Sequence, residues 1–215
     1  MPPTQTMKRI SRLLHITMFL PAAIGLAMVI RRSLAIEGVN VGSPPGAPPF
    51  DTGFAEHPFI TFLHILPGAL FMILGPLQFL PGIRVKYPRF YRRSGRVVIF
   101  CGYIIGLSAL VMPFILKPIG GLNEAAATTF FAIYFLIALT MTWRAANDVL
   151  QHQWMTRMFS IGLAIGTIRP IMILFFVFSG LPPQVFFGTA FWLGFTLHLI
   201  LAEVWINYTR KSITI

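Results

Sequence analysis

Four residues interrupt apolar stretches long enough to cross a bilayer, and any chemistry in this chain starts with them: His64, Gln78, Arg169 and His198. His64 lies in a stretch without charge from Pro58 to Pro81. Gly68, Gly75 and Gln78 follow it at offsets of four, eleven and fourteen, which at about 100° per helical residue puts them on roughly one face with the imidazole. Small and polar, that face belongs against protein, and Pro67 and Pro76 each remove a backbone donor beside it. Arg169, followed by Pro170, is placed about 15 Å deep in its span, where a guanidinium costs several kcal/mol unless it snorkels or finds a partner. No acid is expected at its level, because Glu203 falls near the opposite face. Gly162 and Gly166 share its face, so it points inward. An inward arginine grips an anion or carbonyl, such as a haem propionate, a quinone oxygen or a lipid phosphate. Two plainer roles stay open: His64 as part of a packing seam, and Arg169 satisfied by the carbonyls of a kinked helix.

A membrane b-type haem would draw on the histidines, because it needs two neutral imidazoles on facing helices at nearly the same depth, each with its other nitrogen held. By helix rise His64 lies about 9 Å below the outer surface and His198 about 15–20 Å, a mismatch that makes haem b an alternative rather than a requirement. His15 and His152, both near the other face, form a second candidate pair. Cys101 is the only cysteine and sits in an apolar run, so it reads as a small buried hydrophobe with no disulfide or Cys-based metal site. There is no phosphate-cradling glycine loop, no HExxH, no pair of acids at catalytic spacing and no serine-hydrolase signal, so nothing points to an enzyme.

The elements that must position these residues are helices in lipid. Of the 215 residues 56% are hydrophobic and only 11% charged, against about 25% charged in soluble domains, and the mean hydropathy is +0.76. The expected architecture is all-α: one integral membrane domain over 1–215, a bundle of six transmembrane helices at about 13–30, 58–81, 97–116, 125–143, 158–178 and 186–205. A proline-rich outer loop fills 33–56. The formal net charge of +11 does not indicate nucleic acid, because the cations cluster at span ends, where they orient the chain and meet anionic head groups. Lys8, Arg9, Arg12, the cluster Arg84, Lys86, Arg89, Arg92, Arg93 and Arg96, then Arg144, Arg157, Arg210 and Lys211 fall on one side. Only Arg31, Arg32 and Lys117 fall on the other. The positive-inside rule therefore predicts both termini in the cytoplasm and a multi-pass protein of the inner (plasma) membrane. Gly102 and Gly106 have the small-xxx-small spacing of a close helix contact.

The ordered set His64-x-x-Pro67-Gly68, Gly75-Pro-Leu-Gln78-Phe, Arg84, Tyr91 to Arg96, Gly120-Gly121 with Phe130 and Phe131, and His152-x-Trp-Met-x-Arg157 with Arg169 resembles a bacterial family. It is the family of predicted multi-pass membrane proteins classed as domain of unknown function DUF2306, and the resemblance covers most of the chain. It implies a six- or seven-helix membrane protein and no particular substrate. The family's usual His-Arg-Trp is Tyr91-Arg92-Arg93 here, so if that histidine were a haem or metal ligand in the family, Tyr91 would put the role in doubt in this chain.

The functional expectation is an inward polar pocket built by His64, Gln78, Arg169 and His198, open toward the outer half. It belongs to a subunit or assembly partner of a membrane complex, or to a binder of lipid or quinone. A b-type haem electron carrier is the alternative. A small-solute transporter is less supported, because no inverted repeat is visible.

Overall fold

The computed structural model describes residues 5–38 and 52–211, with side chains over 16–38 and 53–209. Its elements are α1 (Gln5–Ile36), α2 (Thr52–Glu56), α3 (Pro58–Leu74), α4 (Pro81–Lys86), α5 (Pro88–Ile115), α6 (Gly121–Arg144), α7 (Asp148–Phe178) and α8 (Pro183–Lys211), with a 3₁₀ segment at Pro76–Phe79. No strand occurs among the described residues. Proline sets many of the starts: α3, the 3₁₀ segment, α4 and α5 each carry one in the first turn, where its missing N–H would lack an intrahelical acceptor anyway. The side chain of Asn147 caps α7, its Oδ1 accepting from the Leu150 N–H at 2.9 Å.

Six helices are long and apolar enough to cross a membrane: Ile16–Ile36, Pro58–Phe79, Pro88–Ile115, Gly121–Arg144, Asp148–Phe178 and Pro183–Thr209. Several boundaries differ from expectation for local reasons. Expected over 58–81 as a helix loosened at Pro67 and Pro76, the second span leaves α-geometry after Leu74, where Pro76 cannot donate the next helical hydrogen bond. The basic connection is not a loop: Arg84 and Lys86 end α4, while Arg89 to Arg96 form the first turns of α5. Likewise His152 to Arg157, read as part of a polar connection, belong to α7. Within the expected outer loop, 33–36 continue α1 and 52–56 form α2. Its central residues 39–51 lie outside the described residues.

In sequence order α1, α3, α5, α6 and α7 each pack on the next, and α7 returns to α1, closing a ring of five helices. The sixth span, α8, lies outside the ring against α6 and α7. Small residues set the close crossings. A Cβ on Gly106 would come within 2.5 Å of Leu136 Cδ2, and one on Gly166 within 2.1 Å of the Pro21 carbonyl oxygen, so these contacts exist only because a side chain is missing. Toward the basic end the ring interior is filled by Phe71, 1% exposed, whose ring lies 5.8 Å from Phe135 and 5.4 Å from Phe159. Outside the ring, Phe100, Phe114, Ile137, Val177 and Val204 are each more than half exposed. Such apolar coverage of every side would aggregate in water and matches hydrocarbon as solvent.

Candidate functional site

Above Phe71 the ring is not filled. A cavity of about 590 Å³ occupies its interior toward the end opposite the basic cluster, with α2 and the α5–α6 connection at its mouth. That is the size of a small-molecule site. Each helix contributes a stripe at helical spacing; on α7 it is Ile161, Ile165, Arg169 and Met172, and on α3 it is His64, Gly68, Phe71 and Met72. Most of the wall is aliphatic or aromatic, with three phenylalanines of α8, Phe187, Phe191 and Phe195, closing it from outside the ring. Its polar groups are few: His64, Arg169, Arg32 from α1, Glu124 and Thr128 from α6, with Glu56 and Lys117 at the mouth.

The tautomer of His64 is coupled to the direction of the Ser108 hydroxyl. Ser108 Oγ has one proton, and it lies 2.7 Å from the Ile104 carbonyl and 3.0 Å from that of Ile105. His64 Nδ1 sits 2.8 Å from the same Oγ. When the hydroxyl proton is directed to a carbonyl, Oγ accepts from Nδ1–H and the neutral ring presents an unprotonated Nε2; when it is directed to Nδ1, Nε2 carries the proton instead.

Arg169 enters the cavity as a donor. Its Nη1 lies 3.9 Å from Met172 Sδ, and, contrary to the expectation of no acid at its level, the Glu124 carboxylate lines the same cavity within its Coulombic reach. The Glu124 Oε2 accepts from the Gly120 N–H at 2.7 Å, a bond that depends on the turn made by Gly121 at φ +58°. Arg32, 8% exposed, lies 3.4 Å from the centroid of the Phe54 ring. Sequence reasoning missed Glu124, Arg32 and Ser108; the signal available for Glu124 was an acid in the first turn of an apolar span, just after Gly120-Gly121.

The expected pocket of His64, Gln78, Arg169 and His198 is corrected in two places. Gln78 does not share the cavity, because the break at Gly75-Pro76 takes it off the helical face of His64. It is buried toward the basic end instead, with Nε2 donating to Ser94 Oγ at 2.8 Å. His198, 4% exposed, lines neither this cavity nor the one beside Gln78, and its Nε2 is 2.7 Å from Thr167 Oγ1. The proposed ligand pair His64 and His198 is therefore not brought to one space. His152 packs 5.8 Å from the Phe79 ring near Gln78, while the side chains of its suggested partner His15, and of Arg210 and Lys211, lie outside the described residues. Among the described residues no group of three His, Cys, Asp or Glu side chains is arranged to hold a metal ion.

Compared with known families, residues 61–206 match the family described as predicted membrane protein DUF2306, well over half of the chain. The chain belongs to the DUF2306 family. No curated protein and no solved structure matches it. The DUF2306 segment supplies α3 through α8 of the ring and its flank, while Gly25, Met28, Val29 and Arg32 of the cavity wall come from α1, outside the match. The motifs that carried the resemblance take up structural roles. Gly120 receives α8, since a Cβ there would lie 2.7 Å from the Gly188 nitrogen. In His152-x-Trp-Met-x-Arg157, Arg157 forms a two-point ion pair across to α8, Nε to Glu203 Oε1 at 2.5 Å and Nη2 to Oε2 at 3.0 Å. The same guanidinium lies 4.8 Å from the Trp154 ring. It had been expected only to anchor the chain at the interface.

Proposed function

We propose that this DUF2306 protein binds a membrane amphiphile of the quinol or lipid class in the ring cavity, with the ligand's polar head between His64 and Arg169. The basic end faces the cytoplasm in this proposal, which puts the cavity in the outer half of the plasma membrane. One arrangement carries it: in a mostly apolar cavity of about 590 Å³, whose other charged groups are Arg32, Glu124, Glu56 and Lys117, His64 with Nε2 as acceptor stands with the permanent donor Arg169. Such a pair selects a head group with a hydroxyl to give and a carbonyl, phosphate or carboxylate oxygen to receive. The apolar stripes of α1, α5 and α6 then take the tail.

Native mass spectrometry of the detergent-extracted protein tests this. A retained small amphiphile is expected in the wild type and in Gln78→Leu, and its loss is expected in His64→Leu and Arg169→Met. A protein that carries no such ligand, or one whose ligand survives both cavity substitutions, overturns the proposal. A b-type haem held by His64 and His198 has less support, because only His64 lines the cavity. A Soret band abolished in His64→Leu would put haem in place of the amphiphile. The same spectra read co-purifying chains, the result expected of a subunit of a larger complex.

A further inference from the structure

At the basic end a second cavity of about 620 Å³ opens between α4, the first turns of α5 and the first turns of α7. Its rim is cationic: Arg84 from α4, and Arg92 and Arg96 one helical turn apart on α5. Asp148 is the one acid in the wall, and it accepts from Arg84 Nη2 at 3.0 Å, so one guanidinium of the three is already compensated. Arg92 and Arg96 have no carboxylate partner among the described residues. Tyr91 and His152 add hydrogen-bonding groups beside them, and below the rim the walls turn apolar at Val98 and Met158, both buried.

We propose that this cavity is a binding site for a phosphate-bearing amphiphile or phosphate ester, independent of the ring cavity. The phosphate sits between Arg92 and Arg96 with Arg84 at its edge, and the apolar remainder of the ligand points toward Val98 and Met158. Planar guanidinium groups bind phosphate oxygens two at a time, which single surface cations do not. Orientation by positive charge alone needs cations anywhere on this face, whereas a site needs those that face the cavity. Arg89 and Arg93 do not line it, although they belong to the same turns of α5, and that division makes the proposal testable.

The phosphate can come from a lipid head group or from a free ester, and two arms separate the sources. In one, the protein in nanodiscs of phosphatidylcholine with phosphatidylglycerol is examined by native mass spectrometry for retained anionic lipid. In the other, the detergent-solubilised protein is melted with inorganic phosphate or pyrophosphate against chloride at matched ionic strength. Retained phosphatidylglycerol, with no effect of free phosphate, assigns the site to lipid; stabilisation by phosphate or pyrophosphate alone assigns it to an ester. In either arm Arg92→Gln/Arg96→Gln should weaken binding roughly tenfold, the scale of losing charge-assisted hydrogen bonds. Arg89→Gln/Arg93→Gln, which removes the same charge outside the cavity, should leave it unchanged. Equal effects of the two double variants, or no effect of either, overturn the proposal. Should the cavity variant not fold, photo-crosslinking phosphatidylglycerol to the wild type decides the lipid arm: labels within 84–96 or 148–155 support the site, and labels confined elsewhere refute it.

Discussion

Ser108 is the residue on which the cavity's polarity turns. In the proposed site its hydroxyl donates to the Ile104 or Ile105 carbonyl, which leaves His64 Nε2 as the acceptor. In Ser108→Ala the imidazole loses that anchor and both tautomers become available, so ligand retention is expected to fall roughly tenfold, about 1.4 kcal/mol, with the melting temperature little changed. Ser108→Thr, which keeps the hydroxyl, should restore it; retention equal to wild type in Ser108→Ala would show that the tautomer does not matter. At the other end, Arg157→Met leaves Glu203 without its two-point partner. Because the Glu203 side chain is 46% exposed, the loss is expected at only about 1 kcal/mol, read as a lowered melting temperature that Arg157→Met/Glu203→Gln partly recovers. His64 and Arg169 were legible in sequence because an ionisable group in a long apolar run is conspicuous. Their partners were not: Ser108 lies 44 residues from His64, and no local spacing encodes a contact made only when α3 meets α5.

Glycines separate the elements' two tasks, close packing and making space. Gly166 of α7 packs against the carbonyl of Pro21 on α1, and a Cβ there would stand 2.1 Å from that oxygen. Gly68 of α3 lines the cavity, and a Cβ there would meet nothing within 4 Å. Gly166→Ala should therefore force α1 from α7 and lower stability by about 2 kcal/mol or more, the usual scale of overpacking. Gly68→Ala should be neutral or stabilising by up to about 1 kcal/mol from helix propensity, while narrowing the cavity. Thermal melts of both variants check this, and a Gly68→Ala protein less stable than Gly166→Ala would contradict the ring packing. Length and apolarity made the six spans readable from sequence, as did the Gly102–Gly106 contact with α6, where added Cβ atoms would meet Leu139 and Leu136. Gln78 was misplaced because extrapolating one helical face across fourteen residues assumes an unbroken helix, and Gly75-Pro76 ends it.

Among the described residues of the whole molecule six helices are of span length, and an even number of crossings returns the chain to the side on which it began. The side itself is decided by charge. The span ends around the connections α3–α5 and α6–α7 carry Arg84, Lys86, Arg89, Arg92, Arg93, Arg96, Arg144 and Arg157, while those at the other end carry Arg31, Arg32 and Lys117, with no cation between α7 and α8. The positive-inside rule predicts the basic end in the cytoplasm, an orientation in which the ring cavity would open outward and the arginine-rimmed one inward. Because Cys101 is the only cysteine and is buried, Cys101→Ser gives a background for single added thiols. In intact cells a membrane-impermeant maleimide should label Lys117→Cys and Ser179→Cys and spare Arg93→Cys and Ala145→Cys, with the latter two labelled only after permeabilisation. The reverse pattern would invert both cavities together and assign the phosphate site to the outer face, whereas labelling of one position from each end would break the six-span topology itself. Neither failure would alter the contact between His64 and Ser108, which depends on the packing of α3 against α5 and on nothing outside the protein.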